Sequence, residues 1–200
     1  MAPRSVVAAT SNPGKVREFR TLLGDLSWEV LALDSAGEVR FPEEGGDYEA
    51  NATATARAVT EQLGVWALAD DSGLEVEALE GAPGPYSARY GGEGLDDSGR
   101  VKHLLAALEG IPEGRRAARF VCVAALVGPK GECQVARGEC PGEILFSPRG
   151  AQGFGYDPVF QPRGFAQAMA ELAAEEKDRI SHRGQAMARI RDFLQELERG

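Results

Sequence analysis

Apolar and polar positions alternate along this chain between short buried runs and longer stretches of helical periodicity. Val6-Val7-Ala8-Ala9 reads as a first strand, followed by the polar turn Thr10-Ser11-Asn12-Pro13-Gly14-Lys15. Val16, Phe19, Leu22 and Leu23 then recur on one helical face up to Gly24. Trp28 to Leu33 predicts a second strand, and Tyr48 to Leu63 an alanine-rich helix closed by Gly64. Asn51, a mediocre helix former, sits inside that helix. Val65 to Leu68 predicts a buried strand ending at two acids, and Leu74 to Leu79 alternates as a separate half-exposed strand.

The second half has the same texture. Gly81 to Gly92 is too rich in Gly and Pro for regular structure and predicts an ordered, functional loop. Ser98 to Leu108 predicts an amphipathic helix, and Phe120 to Val127 a central strand. Gly128-Pro129-Lys130-Gly131 turns that strand into an antiparallel partner around Gln134 to Arg137, so the sheet is mixed. Ile144-Leu145-Phe146 reads as a further strand and Gln167 to Lys177 as an acidic helix. In the last helix Met187, Ile190, Leu194 and Leu197 form the inner face. No repeat or linker interrupts the pattern, which predicts one α/β domain over residues 1–200.

Composition narrows the function classes. A net charge of −9 without a basic run argues against polymeric nucleic acid as partner. No apolar stretch reaches membrane-spanning length, and no signal-peptide pattern opens the chain. Three cysteines, Cys122, Cys133 and Cys140, lack zinc-site spacing and predict a reduced, cytoplasmic protein, with Cys122 in the core.

Four stretches carry candidate chemistry, the first three with two readings each. In Ala69-Asp70-Asp71-Ser72-Gly73 two carboxylates arrive together, which stabilises nothing unless a cation or donors neutralise them. The pair is a magnesium and catalytic site at a strand end, or an acidic turn. Consecutive strand residues face opposite ways, so Asp70 and Asp71 are predicted to do different jobs. The Thr10–Lys15 turn is a phosphate cradle at a helix start, or an ordinary capped turn. It is not a Walker A loop, because Val16 follows the lysine. Glycines beside aromatics in Gly153-Phe154-Gly155-Tyr156-Asp157 suit a loop that stacks on a flat ligand, or core aromatics with bends. Ser181 is a good N-cap for the last helix, but His182 and Arg183 put cations where the helix dipole disfavours them. A bound anionic or electronegative ligand would relieve that.

Taken in order, Thr10 to Lys15, Ala69 to Leu74, Pro83 to Arg89, Phe154 to Pro158 and Ser181-His182-Arg183 resemble the inosine triphosphate pyrophosphatase family. The resemblance runs from Thr10 to the last helix. It implies a long twisted mixed sheet flanked by helices, two lobes with a substrate cleft between them, and a homodimer. It also implies hydrolysis of ITP, dITP and XTP to the monophosphate and pyrophosphate, with Mg²⁺. Thr10, Ser11, Asn12, Pro13, Gly14 and Lys15 match the triphosphate turn, with Asn12 and Lys15 its main donors. Asp71 matches the carboxylate that serves magnesium and activates water, and Ser72 a substrate contact. Glu43 matches a remote metal-linked acid, with Glu44 the alternative. Phe154, Gly155, Tyr156 and Asp157 match the base-binding loop, and Lys177, His182 and Arg183 the donors that read the purine. Ala168 departs from the resemblance, standing where relatives often have threonine. Two rival readings are a magnesium phosphohydrolase releasing orthophosphate and a non-catalytic nucleotide-binding module. The acid pair with a remote acid disfavours the second.

Overall fold

The computed structural model describes residues 4–199. Strands β1 (Arg4–Ala8) and β2 (Trp28–Ala32) pair in parallel, and β1 also pairs in parallel with β3 (Trp66–Val76) through Val6 to Ala8 against Trp66 to Leu68. β4 (Pro83–Gly84) pairs antiparallel with β3, and β5 (Ala117–Val127) and β6 (Cys133–Ile144) follow. β7 (Phe160–Pro162) pairs antiparallel with β6. Among the described residues these seven strands form one sheet of order β2-β1-β3-β5-β6-β7, with β4 beside β3. The sheet is mixed, as the hairpin pattern requires.

The helices are α1 (Pro13–Leu23), α2 (Tyr48–Leu63), α3 (Asp97–Ala107), α4 (Ala174–Ile180) and α5 (His182–Arg199). Their starts follow from capping chemistry: Asn12, Asp47 and Asp96 each accept a backbone N–H of the first turn. Gly64 ends α2 at φ +70°, a conformation that glycine adopts without steric penalty. None of these helices is long and apolar enough to cross a membrane.

The chain divides into two compact units. The first comprises residues 4–71, 122–138 and 183–199. Its core packs Val6, Phe19, Leu23, Val30, Leu68, Cys122 and Leu126 with Met187, Ile190 and Leu194 of α5. The inner face read from the last helix is thus the buried one, and Cys122 is a core residue. The second comprises 72–121 and 139–182, with a core of Leu74, Val76, Leu104, Phe120, Ile144, Phe160 and Leu172.

Five sequence expectations need correction. β3 runs unbroken from Trp66 to Val76, so the acid pair lies inside a strand and not at its end. The reason is that β1 stops pairing at Leu68, which leaves Asp70 and Asp71 beyond its last residue while the chain continues extended. Residues 77–79, expected as strand, form a single 3-10 turn. Inside the Gly/Pro loop, Pro83–Gly84 adds a short strand to β3. The expected helix at 167–177 is a 3-10 turn at Met169–Glu171 followed by α4, and Ile144 ends β6 without starting a strand of its own.

Candidate active site

The polar turn after β1 is built by Asn12. Its Oδ1 accepts the N–H of Gly14 at 2.8 Å and of Lys15 at 3.3 Å, while Thr10 Oγ1 accepts Asn12 N–H at 3.1 Å. Asn12 therefore uses its acceptor to cap α1, and Nδ2 is the part left to donate. Pro13 fits the first helical position because its missing N–H has no partner there anyway. Ser11 and Pro13 are exposed and Gly14 is buried.

Lys15 reaches from this turn to β3. Its Nζ lies 2.9 Å from the carbonyl oxygen of Asp70 and 3.1 Å from Asp70 Oδ1. The carboxylate of Asp70 has no solvent exposure. Its Oδ2 accepts Arg183 Nη2–H at 2.9 Å and Nε–H at 3.2 Å, with Cys122 Sγ at 3.7 Å. Arg183 Nη1 completes the group at 2.6 Å from Glu18 Oε2. Burial alone would make this guanidinium easier to deprotonate, but Asp70 and Glu18 outweigh it and hold the proton more tightly than in water. The electrostatic penalty of Arg183 at the start of α5 is thus relieved from inside the protein.

Asp71 points the other way, as strand alternation requires. Its Oδ2 accepts Asn51 Nδ2–H at 2.7 Å. Burial pushes its carboxyl up to about 6; Asn51 and Lys15 pull it down, and Glu44 and Asp70 push it further up. Glu43 and Glu44 are both exposed, and of the two it is Glu44 whose charge acts on Asp71. Ser72 follows in β3, half-buried.

The second unit holds its own polar group. Lys177 Nζ lies 2.6 Å from Asp157 Oδ2 and 5.0 Å from the centroid of the Phe154 ring. Asp157 Oδ2 also accepts Phe154 N–H at 3.0 Å, and Gly155 N–H donates to Asp97 Oδ2 at 2.7 Å. Tyr156 is buried, donating its hydroxyl to the carbonyl of Ser87 at 2.9 Å, and burial raises its pKa. The glycine at 153 is required: at φ +76° a Cβ would stand 2.0 Å from Asp157 Oδ2. His182 lies parallel to Phe120, centroids 4.7 Å apart. Ala168 is buried, and its N–H donates to Glu171 Oε2 at 2.7 Å.

The structure therefore gathers Lys15, Asp70, Arg183 and Glu18 in one network, and Asp71, Asn51 and Glu44 beside it. It pairs Lys177 with Asp157 and Phe154, and His182 with Phe120. The resemblance grouped Arg183 with Lys177 and His182; its guanidinium instead sits on Asp70 and Glu18. Glu18 and Asp97 were not singled out in the sequence. Asn51 was visible only as a poor helix former in a helix.

The described residues contain no group of three or more His, Cys, Asp or Glu side chains placed to hold a metal. Magnesium does not need one, since it is commonly held by one or two carboxylates together with waters and substrate phosphates. The oxygen-only pair of Asp71 and Glu44 fits that requirement.

The Ham1 family profile matches residues 6–193. The chain is 45% identical to the dITP/XTP pyrophosphatase of Desulforamulus reducens, over 96% of each chain. It is 50% identical to that of Deinococcus deserti, over 94% of this chain and 88% of the relative. A HAM1 protein from Coxiella burnetii superposes with TM-score 0.86 at 39% identity, covering 96% of this chain and 99% of that one. A nucleoside-triphosphatase / dITP/XTP pyrophosphatase from Mycobacterium abscessus gives TM-score 0.74 at 43% identity, covering 93% and 98%. Sequence and fold agree across nearly the whole length, and the chain belongs to the Ham1 family, as its resemblance to the inosine triphosphate pyrophosphatases implied.

Proposed function

We propose that this protein hydrolyses the non-canonical purine nucleoside triphosphates ITP, dITP and XTP to the monophosphate and pyrophosphate. The observation that carries the reading is Asp71. It is a buried carboxyl lifted to about 6, held by Asn51 and close enough to Lys15 to feel its charge. A base with its pKa just below working pH is ionised and still able to accept a proton in the transition state. The activity named for close relatives supports the substrate class.

In this reading the Thr10–Lys15 turn holds the triphosphate. Backbone N–H groups, Asn12 Nδ2 and the Lys15 ammonium spread its charge. Asp71 takes a proton from the attacking water as its oxygen bonds to the α-phosphorus. The bond from that phosphorus to the bridging oxygen breaks, and pyrophosphate leaves. Magnesium, held by Asp71 with Glu44 or Glu43, supplies neutralisation of phosphate charge and acidification of water. Lys177, stacked over Phe154, and His182 present donors to the purine 6-oxygen. Adenine, with an amino group there, leaves such donors unpaired and is rejected. A cytoplasmic homodimer belongs to the same reading, supported by the resemblance.

Product analysis tests the reaction. ITP with Mg²⁺ should yield equal amounts of IMP and pyrophosphate, and far less without Mg²⁺. Orthophosphate as the product identifies a different phosphohydrolase and overturns the proposal.

Lys15→Ala checks the phosphate turn. A phosphate contact is blind to the base, so kcat/KM should fall for ITP and ATP by the same factor, about tenfold to a hundredfold for one charge-assisted hydrogen bond. A loss confined to ITP would remove Lys15 from the phosphate site.

A further inference from the structure

The segment that carries Glu43 and Glu44 has no regular structure of its own. Two amide side chains of α2 hold it. Asn51 Oδ1 accepts Gly45 N–H at 2.8 Å, and its Nδ2 donates to Gly45 O at 3.0 Å and to Asp71 Oδ2 at 2.7 Å. Gln62 Oε1 accepts Arg40 N–H at 3.1 Å, and its Nε2 donates to Arg40 O at 3.0 Å and to Ala58 O at 2.9 Å. Each amide thus engages both backbone groups of one residue, as a neighbouring strand would. Exchanging oxygen and nitrogen in either side chain would face donor to donor and acceptor to acceptor, so the network fixes both orientations.

The two clamps bracket the acids. On α2 they lie three helical turns apart, about 16 Å of axis, on one face. The chain from 40 to 45 reaches at most about 17 Å when fully extended. The strap therefore runs along α2 with little slack, and it needs both ends fixed to stay there. The residues that lead into it, Glu38 to Arg40, line a cavity of about 790 Å³ that also takes in Thr10 and Ser11.

Charge works against this arrangement. Glu44 and Asp71 repel each other, so an unlatched strap relaxes away from Asp71. Asn51 opposes that by spending its second N–H on Asp71 while gripping Gly45. We propose that Asn51 is a positioning residue that latches the Glu43–Glu44 strap to Asp71, with Gln62 the second latch at Arg40. The kinetic consequence rests on the proposed function, because it concerns the carboxylates assigned to magnesium; the latch itself does not.

Hydrogen exchange on the metal-free, nucleotide-free protein tests the latch. Asn51→Ala should speed exchange of the Gly45 amide about tenfold or more, leaving amides of β1 and β3 unchanged. Gln62→Ala should do the same for Arg40; Gln62 is exposed, so this variant folds even if loss of buried Asn51 does not allow it. Unchanged exchange at both amides, or acceleration spread evenly over the first unit, overturns the latch. In the active enzyme, Asn51→Ala should raise the Mg²⁺ concentration for half-maximal rate about tenfold, with kcat largely recovered at saturating Mg²⁺. An unaltered Mg²⁺ requirement in a variant whose strap is released overturns the positioning role. Absence of pyrophosphate release by the parent protein would sink the proposed function while leaving the exchange result standing.

Discussion

Asp71→Asn is expected to lose ITP turnover by about three orders of magnitude while still binding the nucleotide. Asn is isosteric and keeps an acceptor for Asn51, so the pocket around it need not shift. Lys15 and the capped turn still hold the phosphates. What disappears is the site that accepts the proton. The stability change has the opposite sign. Burial raises the Asp71 carboxyl to about 6, so the folded state binds its proton more tightly than the unfolded chain. Ionised Asp71 therefore destabilises the fold, and this penalty grows as pH rises from about 4 to about 6 and is constant above. Asp71→Asn removes it. At pH 8 the variant should be more stable than the parent by about 3 kcal/mol, and near pH 4 the two should converge. Thermal melts of the metal-free proteins at both values check the sign. Near-parental kcat in Asp71→Asn would remove Asp71 from the chemistry.

How much of this was legible in the sequence depended on the range of the interaction. Local signals read well: the capped turn before α1, the closure of α2 at Gly64 and the inner face of α5 all depend on neighbours within one or two turns. Strand alternation already separated the jobs of Asp70 and Asp71, and the structure sends one to Lys15 and Arg183 and the other to Asn51. The extent of β3 was not legible. Ser72 and Gly73 are turn formers, and it is pairing in the sheet, with β5 alongside and with β4 at Leu74 and Glu75, that continues the strand past the acids. Asn51 stood out as a poor helix former, but its purpose needed Gly45 and Asp71 to be placed beside it. Arg183 was the hardest. Its counter-charges Glu18 and Asp70 lie 165 and 113 positions away in the chain, so no window around it contains them.

Arg183→Ala is accordingly expected to act first on stability. Arg183 is 2% exposed and bridges two carboxylates. Removing it strips the guanidinium from the fully buried Asp70 carboxylate and from Glu18 together. Breaking a buried pair from one side costs about 3–5 kcal/mol, because the remaining charge stays desolvated. Against a total stability of about 5–15 kcal/mol that is a large fall in Tm. Arg183→Lys keeps one charge but not the geometry that serves both acids, so it should recover only part of the loss. Kinetics on the folded fraction then decide what else Arg183 does. If it is an internal strut, ITP and ATP lose kcat/KM by the same factor, through Lys15 and the turn that Asp70 anchors. Lys177→Met, on the side chain stacked over Phe154, should instead lower ITP about tenfold to a hundredfold and leave ATP nearly unchanged. The same ITP-selective loss in Arg183→Ala at parental Tm would return Arg183 to the purine and show that its pairing with Asp70 gives way when nucleotide binds.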